Sequence, residues 1–315
     1  MDLGCNADEL LDLEESTLLH NRGVEDICTN LGSINMSQDL FAIRYDEVNN
    51  NVTVSDSGKN CQDADEIVNQ RCRDIIDRLE IEVIYTQDRD GDNLLHIAII
   101  CYNLLSIIII EKAATPRWIS FANKLFQTPL HLAVLTRQDA IVKKLLTSGA
   151  DVMARDKDGH TPFHIACRDG LYEIAREFMA TIGNRERVHS VDNYEFMNEN
   201  MLQSLYQVLN YEGYTCLHLA ATNRHLKIIS LLMENSIDVN MKECKTGRSI
   251  LHNACLSGDI KLVRVLLKHR PCNINARAYD GLTPFDLARA REHDEVCLVL
   301  AAAGARYGTD EIDSD

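Results

Sequence analysis

The strongest constraint on what this chain can fold into is that it repeats itself. Six short phrases recur: NLLHIA at 93, TPLHLA at 128, TPFHIA at 161, TCLHLA at 215, SILHNA at 249 and TPFDLA at 283. Their central residues, His96, His131, His164, His218, His252 and Asp286, are separated by 35, 33, 54, 34 and 34 residues. A fixed period of about 33 residues marks a chain of stacked, similar units, because one such unit cannot bury its own apolar face.

Each phrase follows a turn rich in Asp and Gly, as in DKDGHTPFHIACRDG (156–170), NYEGYTCLHLA (210–220) and YDGLTPFDLA (279–288). A second apolar segment then follows, such as AIVKKLLTSGADV, LKIISLLMENSIDV or IKLVRVLLKHRPCNI. Thr161 before Pro162 predicts a helix N-cap with a first-turn proline, and Gly149 after KKLLTS predicts a helix stop. Turn, helix, turn, helix at this period, with TPLHLA and a trailing GADV, resembles the ankyrin-repeat family over roughly residues 86–308. The resemblance implies an all-α, ankyrin-repeat solenoid of six helix-turn-helix repeats with short hairpin fingers. The recurring histidines lie a repeat apart, so they are expected to tie neighbouring turns together by hydrogen bonds and not to gather around a metal.

Charge divides the chain unevenly. Residues 1–85 hold 19 acidic and 6 basic side chains, a net of -13 out of -16, and the last seven residues, TDEIDSD, add -4. Residues 86–308 are close to neutral. An acidic arm in front of a balanced body disfavours direct nucleic-acid or anionic-membrane binding and suits a basic partner. The opening MDLGCNADEL has neither a basic nor an apolar leader region, so a reducing compartment and free, mostly buried thiols are expected for the 11 cysteines. The longest apolar run, LLHIAIICYNLLSIIII at 94–110, is broken by His96, Asn103 and Ser106 and reads as two packed helices, with no membrane segment. No nucleophile elbow, phosphate loop or HExxH appears, so no enzyme, no cofactor and no metal are expected. The run DRDGDN places Asp88, Asp90 and Asp92 at calcium-loop spacing, but Asn93 stands where Gly is needed and Ile99 where Glu is needed.

The boundaries read as an acidic regulatory arm at 1–63, a capping segment at 64–85, the six repeats at 86–308 with an insertion near 181–209, and a short acidic tail at 309–315. In the capping segment Ile67, Val68, Ile75, Ile76 and Leu79 fall near helical spacing; a sharper reading of IIDRLEIEVI, on Ile76, Leu79 and Ile81, is a nuclear export signal. In the insertion, Met201, Leu202, Leu205, Tyr206 and Leu209 form a helical stripe that could dock on the stack or meet a partner.

FQTPLHLAV (126–134), DGHTPFHIAC (158–167), YEGYTCLHLA (211–220) and QDRDGDNLLHIAII (87–100) resemble the leading repeats of the inhibitor-of-NF-kappaB (IkappaB) family, including its Cactus-like invertebrate members. The acidic arm carries SDSGKNC at 55–61, which resembles that family's DSGxxS phosphorylation segment. Such a likeness implies a cytoplasmic inhibitor, with possible nuclear shuttling, that grips dimers of Rel-homology transcription factors, covers their basic localisation segment and opposes DNA binding. An upstream kinase and a ubiquitin ligase would act through the arm, with Ser57 and Ser55 as phosphorylation sites and Lys59 as the ubiquitin acceptor. Cys61 stands where the second serine belongs, which puts the double phosphorylation in doubt. The tail also departs from the family, being far shorter than the proline-containing tail usual in vertebrate members.

Partner contacts are expected at the finger turns: Asp88, Arg89, Asp90 and Asp92; Trp118; Asp156, Lys157 and Asp158; Tyr211, Glu212 and Tyr214; Tyr279 and Asp280. Trp118, the chain's only tryptophan, lies in a turn between repeats, where a large aromatic can carry binding energy. Two rivals stay open: a nuclear co-regulator of DNA-bound Rel dimers, and an unrelated ankyrin adaptor for which SDSG is incidental.

Overall fold

The computed structural model describes residues 76–306, apart from 80, 102–104, 114, 186–199 and 269–271, together with Gln70, Arg73 and Asp74. Ser55, Ser57, Lys59, Cys61, the arm at 1–63 and the tail at 309–315 lie outside the described residues. The chain divides into two compact units, 1–151 and 152–315.

In the first unit α1 (Ile81–Ile84) precedes two helix pairs: α2 (Leu94–Ile100) with α3 (Leu105–Lys112), and α4 (Pro129–Leu135) with α5 (Asp139–Thr147). α2 packs on both α3 and α4, and α3 packs on α5. The long apolar run therefore supplies two short helices, and among the described residues no helix is long and apolar enough to cross a membrane. α3 buries Leu105, Ile108, Ile109 and Ile110, nearly its whole circumference, because the chain before repeat one lies against it as well. Tyr85 Oη reaches the Ile109 carbonyl at 3.5 Å. Lys112 Nζ donates to the Leu79 carbonyl at 3.0 Å and also to that of Ile76. Ile76, Leu79, Ile84 and Tyr85 are buried. Export-signal recognition needs free apolar side chains, and the burial of Ile76 and Leu79 counts against that reading of IIDRLEIEVI; the Ile81 side chain lies outside the described residues.

The second unit holds four helix pairs: α6 (Pro162–Arg168) with α7 (Tyr172–Arg185), α9 (Cys216–Thr222) with α10 (Leu226–Glu234), α11 (Ile250–Leu256) with α12 (Ile260–Lys268), and α13 (Pro284–Ala290) with α14 (Asp294–Ala302); α8 (Asn200–Gln207) enters between the first two. The first helices form one row, α6 on α9 on α11 on α13, while α7 meets α10 and α12 meets α14 in the other. The stripe read at 201–209 docks on α7. Leu205 and Tyr206 are buried, Met201, Leu202 and Leu209 are half-buried, and the Tyr206 ring lies 6.0 Å from Phe163, itself 5.6 Å from Phe178.

Every repeat starts its first helix in the same way. Asn93, Thr128, Thr161, Thr215, Ser249 and Thr283 stand at the N-cap with extended backbone, and proline opens α4, α6 and α13. The cap side chain meets the N–H three residues on, so donors that would be orphaned at a buried helix start are satisfied. Of the described cysteines, Cys167, Cys216 and Cys255 are buried free thiols, and burial pushes Cys255 up to about 12. Cys101, Cys272 and Cys297 are half-buried, and Cys244 is the one described cysteine that is exposed.

Candidate partner-binding surface

The fingers are polar turns whose first residue organises the backbone. Asp88 Oδ1 accepts from the N–H of Asp90 (2.9 Å) and Asp92 (2.8 Å). Asn123 Oδ1 does the same for Leu125 (3.0 Å) and Gln127 (2.9 Å), and Asp156 Oδ1 for Asp158 (2.9 Å) and His160 (2.8 Å). Burial alone would push the Glu243 carboxyl up, but donors from the Thr246 hydroxyl and from the Lys245 and Thr246 backbone outweigh it and hold the group below the usual range. Burial pushes Asp88 up, against its two backbone donors, and the charges of Asp92 and Asp90 add to the rise.

Neighbouring fingers are laced backbone to backbone. In the first unit Lys124 N–H donates to the Asp90 carbonyl at 2.9 Å. In the second unit Tyr211 N–H donates to Asp158 O (3.1 Å), Cys244 N–H to Gly213 O (3.2 Å) and Tyr279 N–H to Thr246 O (2.9 Å). The approach is close enough to demand glycine: a Cβ on Gly247, at φ +70°, would fall 2.4 Å from the Tyr279 ring.

The histidines staple this arrangement from beneath. Nδ1 of His96, His164 and His252 faces the backbone N–H of its own N-cap residue at 3.2–3.3 Å. Nε2 points at a carbonyl outside its own helix: His96 at Gln127 (3.2 Å), His164 at Val208 (3.1 Å), His218 at Arg248 (3.4 Å) and His252 at Leu282 (3.3 Å). In His164 and His252 an Nδ1 that accepts leaves the proton on Nε2 to donate there, whereas His96 Nδ1 also lies 2.7 Å from Asn93 Oδ1, an acceptor. Burial lowers His96 and His164 to about 4, so both are neutral near pH 7. Asp286 takes the sixth place and accepts from Thr283 N–H at 3.0 Å and from its hydroxyl at 2.7 Å. A carboxylate can fill the accepting half of the role but has no proton for a further finger.

The expected contact residues separate by exposure. Arg89, Asp90, Lys157, Asp158, Glu212 and Asp280 are exposed at finger tips, as are Tyr211 (67%) and Tyr279 (68%). Asp88 and Asp92 are half-buried, with Asp92 Oδ1 accepting from Asn123 Nδ2 at 2.9 Å. Tyr214 is half-buried, its ring 6.2 Å from His218. Asp156 is 7% exposed and its carboxylate is engaged by the N–H groups of its own turn, so little of it is presented to a partner. Trp118 is half-buried in a short 3-10 turn (Trp118–Ser120), stacked on Tyr85 at 5.1 Å and edge-on to Phe121 at 5.7 Å, so much of the ring braces the start of the first unit. Asp156, Asp158 and His160 could bring three ligand atoms within 4.8 Å of one another, a closeness that follows from the same turn.

Sequence reading missed the second finger. Leu125 and Phe126 are 47% and 61% exposed at its tip. The signal was available: two residues before each N-cap the other five repeats have glycine, and this one has phenylalanine.

Ankyrin repeats (3 copies), as a family model, match residues 66–156, 119–192, 140–243 and 241–310, so the chain belongs to the ankyrin-repeat family. Within it the chain is homologous to IkappaB members. It is 38% identical to NF-kappa-B inhibitor alpha of Gallus gallus over 209 residues, 66% of this chain and 61% of that protein. It is 33% identical to the B-cell lymphoma 3 protein homolog of Mus musculus over 232 residues, 72% of this chain and 47% of that protein. To the nuclear factor NF-kappa-B p105 subunit of Gallus gallus it is 32% identical over 225 residues, 70% of this chain and 21% of that protein. The crystal structure of the ankyrin repeat domain of Bcl-3, described as a unique member of the IkappaB protein family, superposes with a TM-score of 0.59 at 29% identity, covering 69% of this chain and 89% of that one. The chain thus spans less than two thirds of the length of these curated relatives.

Proposed function

We propose that this chain regulates NF-kappaB by binding Rel-homology dimers, and that it does so as an inhibitor held in the cytoplasm, without catalysing a reaction of its own. The observation that carries this reading is the 209-residue similarity to NF-kappa-B inhibitor alpha. Fingers stapled to their neighbours within each unit suit the task, since a surface ordered before binding loses little entropy on association. The partner's basic localisation segment would lie along the leading repeats near Asp90, and the tips around Lys157, Asp158, Tyr211, Glu212, Tyr279 and Asp280 would contact the folded part of the dimer. Phosphorylation at Ser57, with Ser55 in place of the serine that Cys61 replaces, would recruit a ubiquitin ligase and mark Lys59.

The similarity to B-cell lymphoma 3 protein in sequence and in structure favours a second reading, a nuclear co-regulator that stays on DNA-bound dimers. One titration separates the two. Added to a Rel dimer on labelled DNA, an inhibitor releases free DNA, whereas a co-regulator forms a slower-migrating ternary complex; no effect and no binding would remove both. A dimer lacking its basic segment should bind the inhibitor more weakly, and equal affinity would count against masking. Ser57→Ala should lengthen the protein's half-life after pathway stimulation, and an unchanged half-life would remove the proposed switch.

A further inference from the structure

The turn position two residues before each N-cap adopts the same left-handed backbone in all six repeats but does not hold the same residue. Gly91, Gly159, Gly213, Gly247 and Gly281 occupy it at φ of +81°, +77°, +87°, +70° and +79°, and Phe126 occupies it in the second repeat at +58°. Glycine enters that region freely; an L residue brings its Cβ against the neighbouring carbonyl, and a bulky aromatic is an outlier there. The other side chains with positive φ, Arg137, Arg224, Ser236 and Glu292, are polar and stand just past helix ends.

The conformation of Phe126 is imposed by its surroundings. Its N–H donates to the Asn123 carbonyl at 2.9 Å, while Asn123 Oδ1 holds the N–H groups on either side of it. Finger one braces finger two through Lys124, whose Nζ donates to the Arg89 carbonyl and whose N–H donates to that of Asp90. The result is a fixed turn that presents two adjacent large apolar side chains, Leu125 and Phe126, to solvent. Backbone strain maintained by neighbouring bonds is characteristic of positions kept for binding, and a rigid aromatic is the residue type that most often anchors an interface.

We propose that the Leu125–Phe126 tip is an apolar anchor that enters an apolar pocket on the Rel-homology partner, a proposal that rests on the reading above. The test measures affinity and stability together. Phe126→Gly and, separately, Leu125→Ser are titrated against a labelled Rel-homology dimer, and the urea midpoint of each free protein is recorded. Phe126→Gly should weaken binding by about tenfold or more while keeping or raising the midpoint, because glycine relaxes the turn. Leu125→Ser should weaken binding with the midpoint unchanged. Parent affinity in both variants would overturn the anchor and leave the proposed function intact; failure of the parent to bind would instead remove the function on which the anchor rests. A parent self-association that Phe126→Gly abolishes would also overturn it, by assigning the tip to a second copy of the chain.

Discussion

Mild acid should loosen this protein through its histidine staples. His96 and His164 titrate near 4 in the folded chain, because burial strips water from the imidazolium. In the unfolded chain they return to about 6.5. Between those values the unfolded state binds more protons, so stability that is fully present above pH 6.5 falls as the pH falls towards 4. At pH 5 each of the two histidines removes about 2 kcal/mol relative to pH 7.5, because about 1.5 pH units separate pH 5 from the unfolded value of about 6.5 and each costs about 1.4 kcal/mol; the full shift of about 2.5 units is felt only below about pH 4. His96 belongs to the first unit and His164 to the second, so each unit takes one such loss, against a total stability of about 5–15 kcal/mol typical of a folded domain. Burial lowers His218 and His252 as well, which adds to the loss in the second unit. Urea unfolding followed by circular dichroism at pH 7.5, 6.5, 5.5 and 5.0 measures the effect, and imidazole chemical shifts report each histidine directly. His164→Gln should flatten the pH dependence by about one proton's worth of slope. Equal stability at pH 7.5 and 5.0, or a His164 that titrates near 6.5 in the folded protein, would refute the argument.

Other substitutions probe the packing. Tyr206 is 1% exposed and its hydroxyl has no hydrogen-bond partner among the described residues, so Tyr206→Phe should stabilise by about 1 kcal/mol or more; a destabilisation would show that the hydroxyl is satisfied. Gly247→Ala, at φ +70° with the Tyr279 ring 2.4 Å from the new Cβ, should cost about 1–3 kcal/mol by denaturant unfolding. Adding Tyr279→Ala should recover part of that loss, and strict additivity would mean that the ring is not the obstacle. Lys112→Met removes the donor to the Ile76 and Leu79 carbonyls and should raise hydrogen exchange at residues 76–85 before it affects the second unit.

The sequence by itself determined the period, the helix caps, the paired helices and the role of the histidines. Each of these is a local rule repeated at a fixed interval: Thr161, Pro162 and His164 lie within four residues, and their copies report the same geometry. It also marked the finger turns, because a positive φ beside another backbone leaves glycine as the easiest occupant. Which finger side chains face outward could not be read in the same way. Asp156 and Asp158 are alike on paper, yet the first is turned inward by two N–H groups and the second is exposed, a difference set by the direction of the turn. Trp118 reads as a free aromatic until Tyr85, 33 residues earlier, is found stacked on it. Leu125 and Phe126 read as ordinary apolar residues until the packing of the described residues leaves them exposed. Exposure depends on what the rest of the chain brings alongside, which local sequence does not encode; the tertiary structure alone decided which tips remain open to a partner.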